Sequence, residues 1–347
     1  MVAGNFVWRA LGRSGANRVV RRLRASRLVI VCYHGVRADD SEVRHWLLMP
    51  RSRFAQQLDY LRSRFAVLPL DEALARLSAG ALRGPTAAIT FDDGYRNNYT
   101  IAWPELAKRD LPATVFLTTG LISTSHTLWT TTVEYAIRGA PIHEVDLAEW
   151  AGPTVVLDGL EARARAGYDV KEWLKELPGN RRQLVLDTLF RRLGSTEAAP
   201  SDFAIMSWDQ VSELARSGLI QFGAHTVHHE ILSRLDDATL GNELRESIDV
   251  VAERTGNASR VFAYPNGRPQ DYDERAVRLL RSLAIQAALT TIPGTNSTTT
   301  PSWALRRLVV HPGMSFDRFT SEAGGVAALA SDLARARITH RRVRADA

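Results

Sequence analysis

An α/β fold carrying a parallel sheet, open or closed, is what this 347-residue chain predicts, on three observations. Short runs rich in apolar and β-branched residues alternate with helical patterns. Gly and Pro punctuate the joins. Strand and helix take turns rather than clustering, and such alternation builds crossovers between parallel neighbours. The composition, 45% hydrophobic and 24% charged, is that of a folded globular chain and excludes disordered, collagenous and coiled-coil classes.

The elements follow in order. Leu28–Tyr33 is the first expected strand, followed by helices over Arg53–Phe65 and Leu70–Ser78. Ala87–Phe91 is the second, and a helix over Pro104–Arg109 leads to the third, Ala113–Thr118. A helix over Trp208–Ser217 precedes the fourth strand, Ile220–Ala224. Helices over Thr239–Thr255 and Asp273–Ser282 separate the fifth, Arg260–Tyr264, from the fourth and from the sixth, Ile285–Thr290. Arg307–His311 is the seventh. The interval Leu121–Asp202 breaks this rhythm and reads as a largely helical insertion, ending in a helical pattern over Arg181–Leu193 after the Pro178-Gly179 break. Leaving the carboxyl end of a strand, it is placed to roof a site. Its Trp129, Trp150 and Trp173 suit a packed subdomain equally well. The expected organisation is a basic segment over 1–27, a barrel or sheet domain over 28–320 with insertion 121–202, and a helical, basic tail over 321–347.

Cys32, the one cysteine, lies in an apolar run, which excludes a disulfide framework and any multi-cysteine metal site. A metal would have to be held by His and carboxylates. No apolar stretch reaches the ~18 residues of a spanning helix. Arginines interrupt the start of the chain, so it lacks the apolar core of a secretory signal, and a cytoplasmic location is expected. The net charge of +6 is local: Arg9, Arg13, Arg18, Arg21, Arg22, Arg24 and Arg27 give +7 before any acid, leaving 6 − 7 = −1 for residues 28 to 347. Beside Phe6, Val7, Trp8 and Leu11, this charge suits peripheral contact with an anionic membrane, an organellar presequence, or a solvated terminus. No recognised nucleic-acid module accompanies it, so nucleic acid is not an expected partner.

In either sheet closure, functional groups gather at the carboxyl ends of strands. The second strand ends in Thr90-Phe91-Asp92-Asp93-Gly94-Tyr95, where adjacent carboxylates point to different sides and suit different tasks. Read alone, Asp-Asp-Gly is turn chemistry. The fourth ends in His225-Thr226-Val227-His228-His229-Glu230; histidines four apart converge on one side of a helical turn, and with a carboxylate they would complete an open three-ligand metal site. Spacing does not choose between His228 and His229. The fifth ends in Phe262-Ala263-Tyr264-Pro265-Asn266-Gly267, an aromatic wall and a turn.

In this order, the segments resemble the polysaccharide deacetylase family, carbohydrate esterases of the NodB-homology type, from about Val29 to His311. The resemblance implies a distorted, incomplete (β/α) barrel of about seven parallel strands. It implies Asp92 as catalytic base and Asp93, His225 and His229 as ligands of a divalent metal, zinc above all, with cobalt or nickel as alternatives. His228 becomes a bystander. The reaction implied is hydrolytic N-deacetylation of an acetamido sugar in a polysaccharide, oligosaccharide or glycolipid precursor. Bound metal would acidify water and polarise the acetyl carbonyl, and the backbone N–H of Tyr95 would help hold the oxyanion. Tyr95, Tyr264, Pro265 and Trp129 are the expected substrate contacts. A general acid must reach the leaving amine; His34 and His311, ending the first and seventh strands, are candidates, with His34 preferred because Pro312 turns the chain away after His311.

The chain departs from the family pattern where many members carry an Arg that tethers the base. Ala263 stands there, and Arg260 lies three residues earlier. An Asp-x-x-Trp motif is absent, and Val309-Val310-His311 matches the last motif loosely. Two other classes are weighed against the deacetylase. A glycoside hydrolase would use paired carboxylates and have no need of the histidines, and a non-catalytic carbohydrate- or membrane-binding module would bind without releasing acetate.

Overall fold

In a computed structural model, which describes residues 20–21, 26–194 and 199–325, the seven runs become strands β1 (Leu28–Tyr33), β2 (Thr86–Phe91), β3 (Ala113–Leu117), β4 (Ile220–Ala224), β5 (Ala258–Ala263), β6 (Ala287–Pro293) and β7 (Leu305–Val309). All are parallel. They pair around a ring in the order β1-β7-β6-β5-β4-β3-β2, and β1 pairs again with β2 to close it. Seven strands rather than eight, with register shifts between β4 and β5 and between β6 and β7, give the distorted barrel that the resemblance implies. A short strand, Ala66–Val67, adds to the outer edge of β2.

Alternation along each strand divides the side chains between two layers. Leu28 and Ile30 of β1 point into the barrel with Ala88, Phe116, Val261, Ala263, Leu289 and Leu305, while Val29, Val31 and Tyr33 face the outer helices. Both sets are buried, which explains why β1 reads as a continuous apolar run rather than an alternating one. The interior is narrow: at Gly223 of β4, a Cβ would meet the Phe116 ring at 2.5 Å, so only glycine fits. The helix Leu70–Ser78 closes the amino-terminal mouth, its Leu70, Ala73 and Leu77 packing on the inward residues. The carboxyl-terminal mouth therefore stays available for polar groups.

Three expected strands have bounds that differ by more than one residue, the fifth running Ala258–Ala263 rather than Arg260–Tyr264. The sixth lies at Ala287–Pro293 and the seventh at Leu305–Val309, not Arg307–His311. The earlier end of β7 changes no side chain's face, since only the bounds of the strand differ. It also puts His311 beyond the strand: Val310 N–H makes the last ladder bond, to Cys32 O, and His311 O accepts from Met314 in a turn. The parallel pair Gly35–Arg37 and Leu48–Pro50 was not expected; the loop it frames carries His45 and Trp46.

The insertion contains α1 (Trp129–Gly139), α2 (Gly159–Lys175) and α3 (Gly179–Leu193), with an antiparallel hairpin of Glu144–Asp146 and Thr154–Val156. Only the last helix was legible beforehand. These elements share a core of their own, including Val133, Ile137, Val170, Leu174, Val185 and Leu189. Trp129, Trp150 and Trp173 pack against that core, so packing is the role the structure shows for all three. Most of the basic segment 1–27 and of the tail 321–347 lies outside the described residues; Arg21, which is described, donates to the Tyr60 hydroxyl at 3.1 Å. Among the described residues, no helix is long and apolar enough to cross a membrane.

Candidate active site

Asp92 N–H donates to Tyr33 O at 3.0 Å, one step past the end of β2, so the Asp92 side chain continues the inward row. Asp93 then takes a left-handed conformation, φ 74°, which turns its carboxylate toward β4. Asp92 is gripped by Arg307 of β7: Nη1 lies 2.7 Å from Oδ1 and Nη2 2.7 Å from Oδ2. Arg307, fully buried, also donates from Nε to Thr290 O at 2.8 Å, fixing the plane of its guanidinium. Burial alone would raise the Asp92 pKa; the guanidinium outweighs it and holds the carboxyl well below the usual carboxylate range. The tether absent at Ala263 is thus supplied from another strand. Cys32 Sγ lies 3.5 Å from Asp92 Oδ2. Cys32, His34 and Asp92 form a metal-like grouping, but both Asp92 oxygens face a fixed cation, so this is not a cation site.

His225 N–H donates to Leu117 O, and Nδ1 lies 2.7 Å from Ala263 O. A carbonyl accepts only, so Nδ1 carries the proton and the Nε2 lone pair is free to ligate. The sequence pattern suggested a helical turn here. Instead, left-handed Thr226 (φ 65°) and His229 (φ 59°) coil an irregular loop that brings residues four apart together. Nε2 of His225 and Nε2 of His229 each lie 3.5 Å from Asp93 Oδ1. That oxygen is buried and otherwise has no hydrogen-bond partner among the described residues. Burial raises the Asp93 carboxyl, and the His225 hydrogen bond overcomes this to lower it; burial depresses His229 to about 3, against the pull of Asp93. An ionised carboxylate and a neutral imidazole, together with His225 Nε2, fit a divalent metal of the zinc type. His228 is drawn away by Glu243, a buried residue unmarked in the sequence reading. Its Nδ1 lies 2.6 Å from Glu243 Oε1, while the backbone N–H groups of Val227 and His228 donate to Oε2.

These groups face a cavity of about 360 Å³ at the carboxyl-terminal mouth. His34, half-buried, lines it beside both aspartates; burial lowers its pKa despite their pull. Trp46 stands at the rim, 52% exposed, with its ring edge-on to His34. The insertion supplies Thr130, Thr131 and Glu134 from α1 and Lys171 and Lys175 from α2. Glu134 Oε1 lies 3.3 Å from His45 Nε2, and its other oxygen accepts from Lys171 at 2.5 Å. Burial opposes ionisation of Glu134, yet these partners hold it at about 2. A carboxyl depressed on folding from an ordinary ~4.3 adds stability above that pH, and the gain disappears as pH falls toward 2. Glu134→Gln should therefore flatten the stability profile between about pH 4 and pH 2, as measured by urea unfolding at stepped pH; an unchanged slope would refute the assignment.

Several expected residues stand elsewhere. His311 does not line the cavity, because β7 ends at Val309. Tyr264 is buried in a parallel stack on Tyr272, 4.0 Å between centroids, and its hydroxyl donates to Trp303 O. The same turn instead presents Asn266 and Arg268 to the cavity, leaving Pro265 out of its wall. Tyr95 is buried with its ring against Phe203. Trp129 faces the opposite side of α1, under the Arg182 guanidinium. None of these five side chains forms the cavity wall: Tyr264 and Tyr95 are spent on packing, Trp129 faces away, and Pro265 and His311 lie in turns outside it.

A closed parallel barrel with a carboxylate–imidazole cluster at its carboxyl-terminal mouth has the groups that metal-assisted hydrolysis needs. Comparison makes this specific: the polysaccharide deacetylase family model matches residues 79–172 and 174–288. The chain belongs to the polysaccharide deacetylase family, and it is a hydrolase of carbon–nitrogen bonds. The Bacillus subtilis (strain 168) protein YxkH, named for polysaccharide deacetylase activity, is 22% identical over 302 residues, 86% of this chain and 77% of its own length. The Streptococcus pyogenes deacetylase PplD, solved with acetate, superposes with TM-score 0.57 at 19% identity, covering 86% of this chain and 98% of its own. IcaB from Ammonifex degensii superposes with TM-score 0.54 at 22% identity, covering 86% and 97%. At these identities the structural likenesses show the fold.

Proposed function

We propose that the protein removes acetyl groups from N-acetylated sugar residues of a polysaccharide or its glycolipid precursor, with a divalent metal held by Asp93, His225 and His229. The observation that carries this reading is the juxtaposition of two differently equipped carboxylates. Asp92 is pinned by Arg307, while Asp93 offers an unpartnered oxygen to two imidazoles. Bound there, a metal would supply Lewis acidity to the acetyl carbonyl and to water. Asp92, ionised and fixed in plane, takes a proton from the water attacking the acetyl carbon. The new C–O bond forms first, moving the carbonyl electron pair onto oxygen; the C–N bond then breaks as the nitrogen takes up a proton, releasing acetate and a free amino sugar. His34 lines the cavity with both carboxylates and is our candidate to pass a proton to the leaving nitrogen; since burial lowers its pKa, it rests neutral and gives that proton only after receiving it during the reaction, whereas His311 does not line the cavity. Trp46 offers a ring at the rim on which a sugar can stack.

A glycoside hydrolase is disfavoured because Asp92, held ionised at rest by Arg307, is in the wrong protonation state for a general acid, and such an enzyme has no use for the two imidazoles beside Asp93. The test of the main reading is acetate release from N-acetylglucosamine oligomers and lipid-linked acetamido sugars, with zinc, cobalt or nickel added to metal-stripped protein. Acetate should appear only with metal; metal-independent release would remove the metal from the mechanism. We further propose a cytoplasmic, peripheral placement through the basic segment. Deleting Met1–Ser26 should reduce sedimentation with anionic vesicles, since each basic residue near such a surface contributes about 1 kcal/mol. Undiminished binding would eliminate this anchor.

A further inference from the structure

Behind the catalytic cavity lies a larger one, about 1180 Å³, bounded by α1, α3, the helix Asp237–Thr255 and the loop that carries the histidines. The two cavities stand back to back. Thr130, Thr131 and Glu134 of α1 face the first, while Trp129 and Thr132 face the second; His225 and His229 face the first, while His228 and Glu230 face the second. From the groups lining this second space, we infer that it is a binding site for a segment of the polysaccharide other than the residue undergoing reaction. The inference rests on the substrate being a polysaccharide.

Arg182 is at the base of the argument. It is 2% exposed, with its guanidinium 5.0 Å above the Trp129 ring and Nη2 paired to the Glu230 carboxylate. Arg182 Nη1 and Trp129 Nε1 are both buried, and neither has a hydrogen-bond partner among the described residues. A buried donor without a partner is unfavourable until an acceptor arrives, so an occupant gains by bringing acceptors to both. Charge narrows its chemistry. Glu230, Asp236, Glu243 and Glu246 line the space against Arg182 and Arg234, an excess of two negative charges that repels phosphate, sulfate or uronate. Uncharged acceptors remain: hydroxyl, ring and acetamide oxygens. Leu121, Leu186, Phe190 and Val227 add apolar wall suited to the C–H faces of sugar rings. The volume exceeds the ~300–1,000 Å³ of a small-molecule pocket, which favours several sugar units over one.

The test is calorimetric titration of the N-acetylglucosamine tetramer into the full chain, loaded with zinc and carrying Asp92→Asn to prevent turnover. Two further variants probe the second cavity. Trp129→Phe keeps a ring and deletes the N–H, and Asn242→Trp fills the space from an exposed helix position. Trp129→Phe should weaken tetramer binding about 3–10-fold, the worth of one hydrogen bond, and Asn242→Trp by more. In chains that retain Asp92, both variants should raise KM for the tetramer and leave kcat and acetate release from the monosaccharide unchanged. Unaltered tetramer affinity in both variants, or no tetramer binding at all, overturns the inference. Acetate release by the unsubstituted chain separates the two readings. With acetate released and the variants silent, only the second site fails; with no acetate but variant-sensitive binding, the deacetylase reading fails and the site stands.

Discussion

Asp92→Asn should lower kcat by about 10²–10⁴, the usual worth of a positioned base, while metal content stays near one per chain. Asp92 is not in the group formed by Asp93, His225 and His229, and both its oxygens are held by Arg307, so binding and chemistry should separate. Asparagine keeps the shape but cannot take the proton. Arg307→Met should also reduce kcat, for a different reason: the base remains but loses the bidentate grip that aims it. It should additionally cost about 3–5 kcal/mol of stability, because an ionised carboxylate is left buried without its partner. Combining Asp92→Asn with Arg307→Met removes both charges, so the double variant should be more stable than the sum of the single costs predicts. Additive stability losses would mean that the pair is not coupled. An Asp92→Asn protein lacking metal would make Asp92 a ligand and move the base elsewhere.

Asp93→Ala, His225→Ala and His229→Ala should each abolish stoichiometric zinc, by elemental analysis after dialysis, since one missing ligand of three leaves a weak site. His228→Ala should keep zinc. Its ring is held by Glu243 on the far side of the loop, and Glu243 also anchors two backbone N–H groups there. Glu243→Gln is thus expected to disturb zinc more than His228→Ala does, because it loosens the loop carrying His229. Zinc retained by His229→Ala and lost by His228→Ala would exchange the roles of the neighbouring histidines.

The sequence by itself determined what depends on neighbours along the chain. Strand–helix alternation specified a parallel sheet, because each apolar run needs a crossover to pair again in the same direction. Thr90-Phe91-Asp92-Asp93 and the run His225 to His229 stood out because their chemistry is packed into a few residues. The missing tether shows where this kind of reading stops. Arg307 lies 215 residues from Asp92, and only closure of the barrel through β1, which pairs with both β7 and β2, brings them into contact. An arginine inside the apolar strand Leu305–Val309 was the available signal, since a buried guanidinium needs a carboxylate. Glu243 reads as one more acid on an amphipathic helix until the helix docks beside His228. That His34 lines the cavity and His311 does not likewise depends on where β7 stops, an edge that local propensity places only to within a few residues. Tyr264 and Trp129 had the right chemistry for a sugar in the catalytic cavity, but packing turned Tyr264 onto Tyr272 and turned Trp129, beneath Arg182, toward the second cavity. Which face an aromatic residue presents depends on what packs against it, and those partners come from distant parts of the chain.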